Sequence, residues 1–281
     1  MEQILDKKEA SVVSIKPSRG WVFPQIRDVW AYRELLYFLV WRQLKVRYKQ
    51  TVLGVLWAII QPFFLMVIFS IFFGRLAKIP SEGIPYPIFA YAGLLPWTYF
   101  AKSLSACTES LVGNSHLITK VYFPRLIIPL SSVMSGLVDF SIAFTILLAM
   151  MFYYQIIPTV AALLLPFLIL MALATALGVG LWFSALNVQY RDIRYAISFL
   201  VQFWFFATPV VYPSTLVPER WRVLYSLNPM TGVVEGFREA LLGKGQLDWS
   251  MFMVSITVVV FLVLSGTFYF RRMEKGFADV V

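Results

Sequence analysis

Apolar residues in this chain come in long blocks separated by short polar connections. A helix needs about 20 apolar residues to cross roughly 30 Å of hydrocarbon. Six blocks read as such spans: 52–74, 88–110, 126–154, 159–186, 195–212 and 251–270. The second is the most polar, with Lys102 near its end and Pro96 inside, and the fifth is short. Between the fifth and sixth lie two helical patterns, 218–226 and 229–242, each too short to cross at 1.5 Å per residue. Asn228 suits the N-cap of the second, Pro229 its first position and Gly243 the residue after its end. Met230, Val233, Val234, Phe237, Ala240 and Leu241 give it an apolar face, while Glu219, Arg220, Arg222, Glu235, Arg238 and Glu239 charge the pair. This predicts a half-embedded or re-entrant hairpin, 218–242, at the outer face. Such a hairpin must be covered by protein or line a wet cavity. It is a candidate outer gate, with Asn228, Pro229, Glu235 and Arg238 as its residues.

Ahead of the first block, Asp28 suits a helix cap. Tyr32, Leu35, Leu36, Leu39, Val40 and Leu44 then recur at helical spacing beside a basic stripe of Arg42, Lys45 and Lys49. This predicts an amphipathic helix over 28–50 at the lipid interface. A plain positively charged anchor and a lever joined to the first span both account for it.

Composition agrees with a membrane setting. Of 281 residues, 59% are hydrophobic and 14% charged, against roughly 25% charged in a soluble domain. An ordinary water-soluble enzyme and a disordered chain are both excluded. A net charge of +9 invites a nucleic-acid reading, but its placement argues otherwise. With six spans and the N-terminus inside, the inner segments hold Arg42, Lys45, Arg47, Lys49, Lys120, Arg125, Arg191, Arg194, Arg271, Arg272, Lys275 and the basic residues of 1–33. Outside fall Arg75, Lys78, Arg220, Arg222, Arg238 and Lys244. That bias predicts cytoplasmic termini. The first 20 residues lack an apolar run, so no cleavable signal peptide is expected.

Within the blocks, Pro62, Pro96, Pro129, Pro166 and Pro209 each remove a backbone donor and favour a kink, as a gate or a cavity would use, or shape alone. Ser132 and Gly136, Ala172 and Ala176, and Ala176 and Gly180 lie four apart, the spacing of close helix packing. Asp139 is the acid well inside a span, and the sequence places no obvious cation at its depth. Aromatics crowd the first span (Trp57, Phe63, Phe64, Phe69, Phe72, Phe73) and the fifth (Phe199, Phe203, Trp204, Phe205, Phe206). Sugar rings stack on such side chains, and lipid-facing packing uses them equally well.

One Cys and one His exclude an internal disulfide, an iron–sulfur site and a multi-histidine metal site. The chain has no phosphate-binding Gly-x-x-x-x-Gly-Lys-Ser/Thr loop, no His-Glu-x-x-His and no Gly-x-Ser-x-Gly. Active transport would then draw its energy from a partner, since intramembrane acids for an ion gradient are scarce.

The segments RQLKVRYKQTVLG (42–54), Leu56-Trp57-Ala58, Gln61-Pro62, Gly93-Leu94-Leu95-Pro96-Trp97, the 114–125 loop, Leu186-Asn187-Val188, Tyr190-Arg191-Asp192 and Leu227-Asn228-Pro229-Met230 follow one another in order. In that order, over 30–277, the chain resembles the permease subunit of ABC exporters of lipid-linked polysaccharides, the O-antigen, capsule and teichoic acid exporters. The resemblance implies an all-α polytopic membrane protein of six transmembrane helices, with an N-terminal amphipathic helix, an outer re-entrant hairpin and cytoplasmic termini. It divides the chain into a flexible N-terminus (1–27), an interface helix (28–50) and a permease domain (51–281). It implies a second copy of the chain and two separate ATPases, which carry the ATP and Mg, with no cofactor or metal in this chain. Asn114, His116, Lys120, Tyr122 and Arg125 would couple to the ATPase. Trp57, Phe63, Phe69, Phe199, Phe203 and Trp204 would line a channel, and Arg42, Arg47 and Lys49 would meet the lipid pyrophosphate or the interface. The implied activity is export of polyprenyl-pyrophosphate-linked polysaccharide, O-antigen first, across a bacterial inner membrane. A drug or small-lipid exporter of the same superfamily is the nearest rival. A membrane glycosyltransferase or phosphatase would need convergent acids, which this sequence lacks.

Overall fold

The computed structural model describes residues 26–49, 54–243 and 248–277, all helices and their connections, with no strand among them. The expected N-terminal tail through residue 25, Lys244 and the last four residues lie outside the described residues. In chain order the helices are α1 (Ile26–Ala31), α2 (Arg33–Lys49), α3 (Leu56–Phe69), α4 (Tyr86–Glu109), α5 (Ser115–Lys120) and α6 (Ile127–Tyr153). They continue with α7 (Leu165–Gln189), α8 (Ile193–Phe206), α9 (Glu219–Ser226), α10 (Pro229–Leu242) and α11 (Trp249–Met273).

Four helical stretches are long and apolar enough to cross a membrane: Leu56–Leu76, Ile127–Tyr153, Val160–Gln189 and Trp249–Gly276. The expected second span, now α4, is long enough but too polar to count with them. Its burial explains why. Ile88, Ala90, Tyr91, Ala92, Phe100 and Leu104 have no exposed surface, because α4 runs through the middle, packed by α3, α6, α7, α8 and α10. A helix sheathed in other helices meets no lipid, so its hydroxyls cost little once they are bonded. Tyr91 donates to the Ala143 carbonyl at 3.0 Å and Thr108 to that of Leu104 at 2.9 Å.

The expected fifth span is cut short. Helix α8 ends at Phe206 rather than reaching 212. Pro209 disfavours helical backbone at Thr208, and Asn228 takes over the freed end, donating from Nδ2 to the Ala207 carbonyl at 3.0 Å and to Thr208 Oγ1 at 2.8 Å. At 14 residues, α8 spans about 21 Å. The proline reading also changes. Pro62 and Pro96 lie inside helices, but Pro129 and Pro166 sit in first turns, where no intrahelical donor is lost, and Pro209 follows a helix. Asp28 falls within α1 instead of capping it, and the predicted single helix over 28–50 is broken by a turn at Tyr32. The first span continues past α3 as a π-helical segment, Ser70–Leu76, a form common near functional sites.

Small residues set the helix spacing. A Cβ added to Gly136 would lie 2.7 Å from Ser103 Oγ, and one on Gly180 would lie 2.5 Å from Cys107 Sγ, so these two glycines seat α6 and α7 against α4 inside this chain. The tightest approach was not anticipated: Gly178 of α7 meets Gly266 of α11 backbone to backbone. Gly266→Ala would drive a methyl group into the Gly178 carbonyl. We expect a loss of about 1–3 kcal/mol, read as a lowered midpoint of thermal unfolding in detergent, while Ala at Gly276, where an added Cβ meets nothing within 4 Å, leaves the midpoint unchanged.

Candidate transport site

A cavity of about 490 Å³ lies among the end of α2 and helices α3, α4, α6 and α8. Its polar groups are Arg47, Lys102 and Asp139 with the hydroxyls of Thr98, Tyr99, Ser103, Ser105 and Ser132, and its apolar wall includes Leu95, Phe140, Ala143 and Val201. Arg47 Nη1 pairs with Asp139 Oδ2 at 2.5 Å, with side-chain exposures of 38% and 16%. The Tyr48 hydroxyl donates to the other carboxylate oxygen. Asp139 therefore has a cation at its depth, contrary to the sequence reading, and it comes from outside the six blocks. Helix α2 packs along α6, with Gln43 Nε2 donating to Ser131 Oγ at 3.0 Å and Ser132 Oγ at 3.3 Å. Gln43 and Arg47 are one turn apart, and Ser132 and Asp139 two turns apart. Two polar pairings, Gln43 with Ser131 and Ser132 and Arg47 with Asp139, thus tie the helices together, and on each helix the residues recur at helical spacing, a signal the sequence did contain.

Of the three basic residues expected at the pyrophosphate or interface, Arg47 faces this cavity and Lys49 is exposed. Arg42 instead reaches Asn114, donating from Nη2 to its Oδ1. That bond ties α2 to the loop expected to couple to an ATPase. Within this loop, Ile118 and Phe123 are buried in a second apolar cluster with Leu39, Ile127, Leu181, Phe270 and Phe277. His116, Lys120 and Tyr122 are exposed. Arg125 anchors the far end: its backbone N–H donates to Glu274 Oε1 at 3.3 Å and its guanidinium to the Glu274 carbonyl. Thus Asn114 and Arg125 fix the two ends of a loop whose middle presents a histidine, a lysine and a tyrosine to the outside.

The four hairpin residues lie together. Asn228 caps α10, its Oδ1 accepting from the Met230 N–H at 3.1 Å and from Trp204 Nε1 at 2.9 Å. Gly243 takes the left-handed conformation, φ 65°, that ends the helix. Every residue expected on the apolar face of α10 is buried, and so are Glu235 and Arg238, at 6% and 1% exposed. Arg238 donates to the carbonyls of Val210 (2.6 Å) and Tyr212 (3.3 Å), pairs with Glu235 Oε1 at 3.2 Å, and lies 3.7 Å over the Phe89 ring. Glu235 Oε1 also accepts from the Ser214 N–H at 3.3 Å. The guanidinium thereby holds the turn after α8 against α10 and α4. Helix α9, by contrast, exposes Trp221, Val223, Leu224 and Leu227 along its length and at its end.

The aromatic set divides. Trp57, Phe63, Phe199 and Phe203 are exposed on α3 and α8. Tyr195, Phe199, Phe203 and Phe206 form one exposed stripe of α8 at helical spacing. Phe69 stacks on Phe205 at 5.6 Å, and Trp204 packs edge-on to Phe100 at 5.0 Å, so these two serve the interior. Past α10, the start of α11 is capped by Asp248, whose carboxyl the Ser250 hydroxyl and amide hold below its usual range.

The ABC-2 type transporter family model matches residues 34–242. The O-antigen export system permease protein RfbA of Myxococcus xanthus is 32% identical over 259 residues, covering 91% of this chain and 98% of that protein. RfbA of Klebsiella pneumoniae is 29% identical over 249 residues, 88% of this chain and 95% of that protein. The polysialic acid transport protein KpsM of Escherichia coli is 25% identical over 209 residues, 72% and 78% of the two chains. The matched region takes in α2, the 114–125 loop, the ion-paired cavity and the α9–α10 hairpin, and the chain is a multi-pass membrane protein that belongs to the ABC-2 type transporter family.

Proposed function

We propose that this chain is the permease half of an ATP-driven exporter that carries polyprenyl-pyrophosphate-linked polysaccharide, O-antigen first, out across a bacterial inner membrane. The observation that carries this reading is the match to O-antigen export permeases along nearly the whole chain. The four long apolar helices, α4, and α8 with the turn after it would make six crossings, with both termini in the cytoplasm. The α5 loop then lies inside and the α9–α10 hairpin enters from outside as a gate. Two copies of the chain would face each other across the exposed aromatics of α3 and α8, on which successive sugars stack. ATP and Mg belong to two separate ATPase chains that grip His116, Lys120 and Tyr122. Arg42–Asn114 and Arg125–Glu274 pass the motion of that loop to α2 and α11. This chain forms and breaks no covalent bond. The KpsM match favours a capsule polymer as the second reading.

The test is reconstitution of the full chain with its cognate ATPase in vesicles and assay of ATP-dependent movement of lipid-linked glycan. Export of O-antigen carrier supports the first reading, export of capsule carrier alone supports the second, and movement of neither removes both. In the same complex, Lys120→Glu with Tyr122→Ala is expected to weaken ATPase co-purification by about tenfold, the effect of losing one good interface anchor. Both side chains are exposed, so thermal unfolding of the permease should not change.

A further inference from the structure

We propose that the cavity bounded by α2, α3, α4, α6 and α8 binds the phosphate of a lipid headgroup, with the Lys102 ammonium as its principal anion contact. This rests on the lipid-linked substrate of the export reading and names the group that recognises it. Three charged residues line the cavity, Arg47, Lys102 and Asp139. Arg47 and Asp139 are spent on each other at 2.5 Å. Lys102 forms no ion pair and donates no hydrogen bond among the described residues. It lies on α4, seven residues from the helix end, about 10 Å inside the bundle. Asp139 shares the cavity with it, but Arg47 and the Tyr48 hydroxyl already take both of its carboxylate oxygens, and a cation at such a depth favours an anion of its own.

The groups around Lys102 fit a phosphate. Ser103, the next residue on α4, brings to the cavity lining a buried hydroxyl that, among the described residues, has only the Tyr99 hydroxyl close by. Thr98 adds a hydroxyl to the lining, whereas that of Ser105 is donated to the Ala101 carbonyl at 3.0 Å; hydroxyls and ammonium together are phosphate ligands. The volume, about 490 Å³, is in the range of small-ligand pockets and holds a headgroup, while a polymer passes elsewhere. Arg47, partly exposed, stands at the rim. A phosphodiester of the bilayer carries one charge and is matched by Lys102 alone. A pyrophosphate carries more and would draw Arg47 from Asp139 as a second donor. Because α2 carries Arg42 to Asn114 as well, occupancy of the cavity would be felt at the α5 loop.

The experiment uses the full-length chain in phosphatidylcholine nanodiscs, with binding read by native mass spectrometry. The probes are undecaprenyl pyrophosphate, phosphatidylglycerol and the uncharged undecaprenol. We expect the pyrophosphate lipid to bind and undecaprenol not to. Lys102→Gln and Lys102→Met should each weaken binding by about tenfold or more, the loss of a charge-assisted contact, while Lys102→Arg restores most of it. Arg272→Gln, an exposed charge outside the cavity, should leave binding unchanged. Phosphatidylglycerol binding with the same Lys102 dependence, and no pyrophosphate binding, upholds the phosphate site but assigns it to bilayer lipid. Equal binding by wild type and both neutral variants, or no binding of either phospho-lipid, overturns the inference. Export measured in vesicles in parallel separates that failure from failure of the export reading.

Discussion

Arg238→Leu is expected to destabilise the protein by about 3–5 kcal/mol, the cost of removing one partner from a buried ion pair. The site leaves little room for a smaller effect. Arg238 is 1% exposed and Glu235 6%, so water cannot replace the guanidinium. Its loss leaves the carbonyls of Val210 and Tyr212 without that donor and the Glu235 carboxylate without its cation. The Phe89 ring also loses its cation at 3.7 Å, worth about 2 kcal/mol when desolvated. Thermal unfolding in detergent measures the sum. The double variant Arg238→Leu with Glu235→Leu should recover part of the loss, because it removes the stranded charge as well. Equal midpoints for the single and double variants would show that Glu235 is not the group left exposed. The turn after α8 should loosen in both, seen as faster amide exchange over 207–214, since neither restores a donor to Val210 and Tyr212.

Asp139→Ala is the second large effect. It removes the counter-ion of Arg47 and the acceptor of the Tyr48 hydroxyl, and leaves Arg47 and Lys102 as like charges in one cavity. Arg47 is more than a third exposed, so water softens the penalty, and we expect about 2 kcal/mol rather than the full cost of a buried pair. Pairing Asp139→Ala with Arg47→Met should restore most of the midpoint, and a double-mutant cycle of thermal unfolding should return a coupling of about 1–2 kcal/mol. A coupling of zero would mean that α2 does not dock on α6 through this pair. If the docking carries motion, Asp139→Ala should also lower export more than it lowers stability, with the permease still bound to its ATPase.

The short helix α10 was legible because its determinants are local. Asn228 and Pro229 cap a helix through atoms two residues away, and Gly243 ends it by its own backbone freedom. The apolar residues of α10 were placed correctly by spacing alone, since helical period fixes which side chains share a face. Asp139 shows where this stopped. Its partner is 92 residues away, and the helix carrying that partner reads as a surface element when its basic stripe is considered by itself. Helix α4 is more polar than the four long apolar helices for a related reason: it meets other helices along its length, which the sequence of one helix does not record. Trp204 was grouped with Phe199 and Phe203 by composition, but they point different ways. One indole N–H finds Asn228 in the interior, while the phenyl rings stay on the surface.

Taken alone, the amino-acid sequence determined that this is a helical membrane chain, where most of its helices begin and end, and that it has no nucleotide-binding loop of its own. Those properties depend on neighbours within a turn or on apolar length along one helix. Tertiary structure decided that Arg47 belongs to Asp139, that Arg238 is a buried clamp, that glycines 178 and 266 set the approach of α7 and α11, and that Lys102 lines a cavity and forms no ion pair among the described residues. Each of these depends on which helix lies beside which, and that is settled by the packing of whole faces against one another.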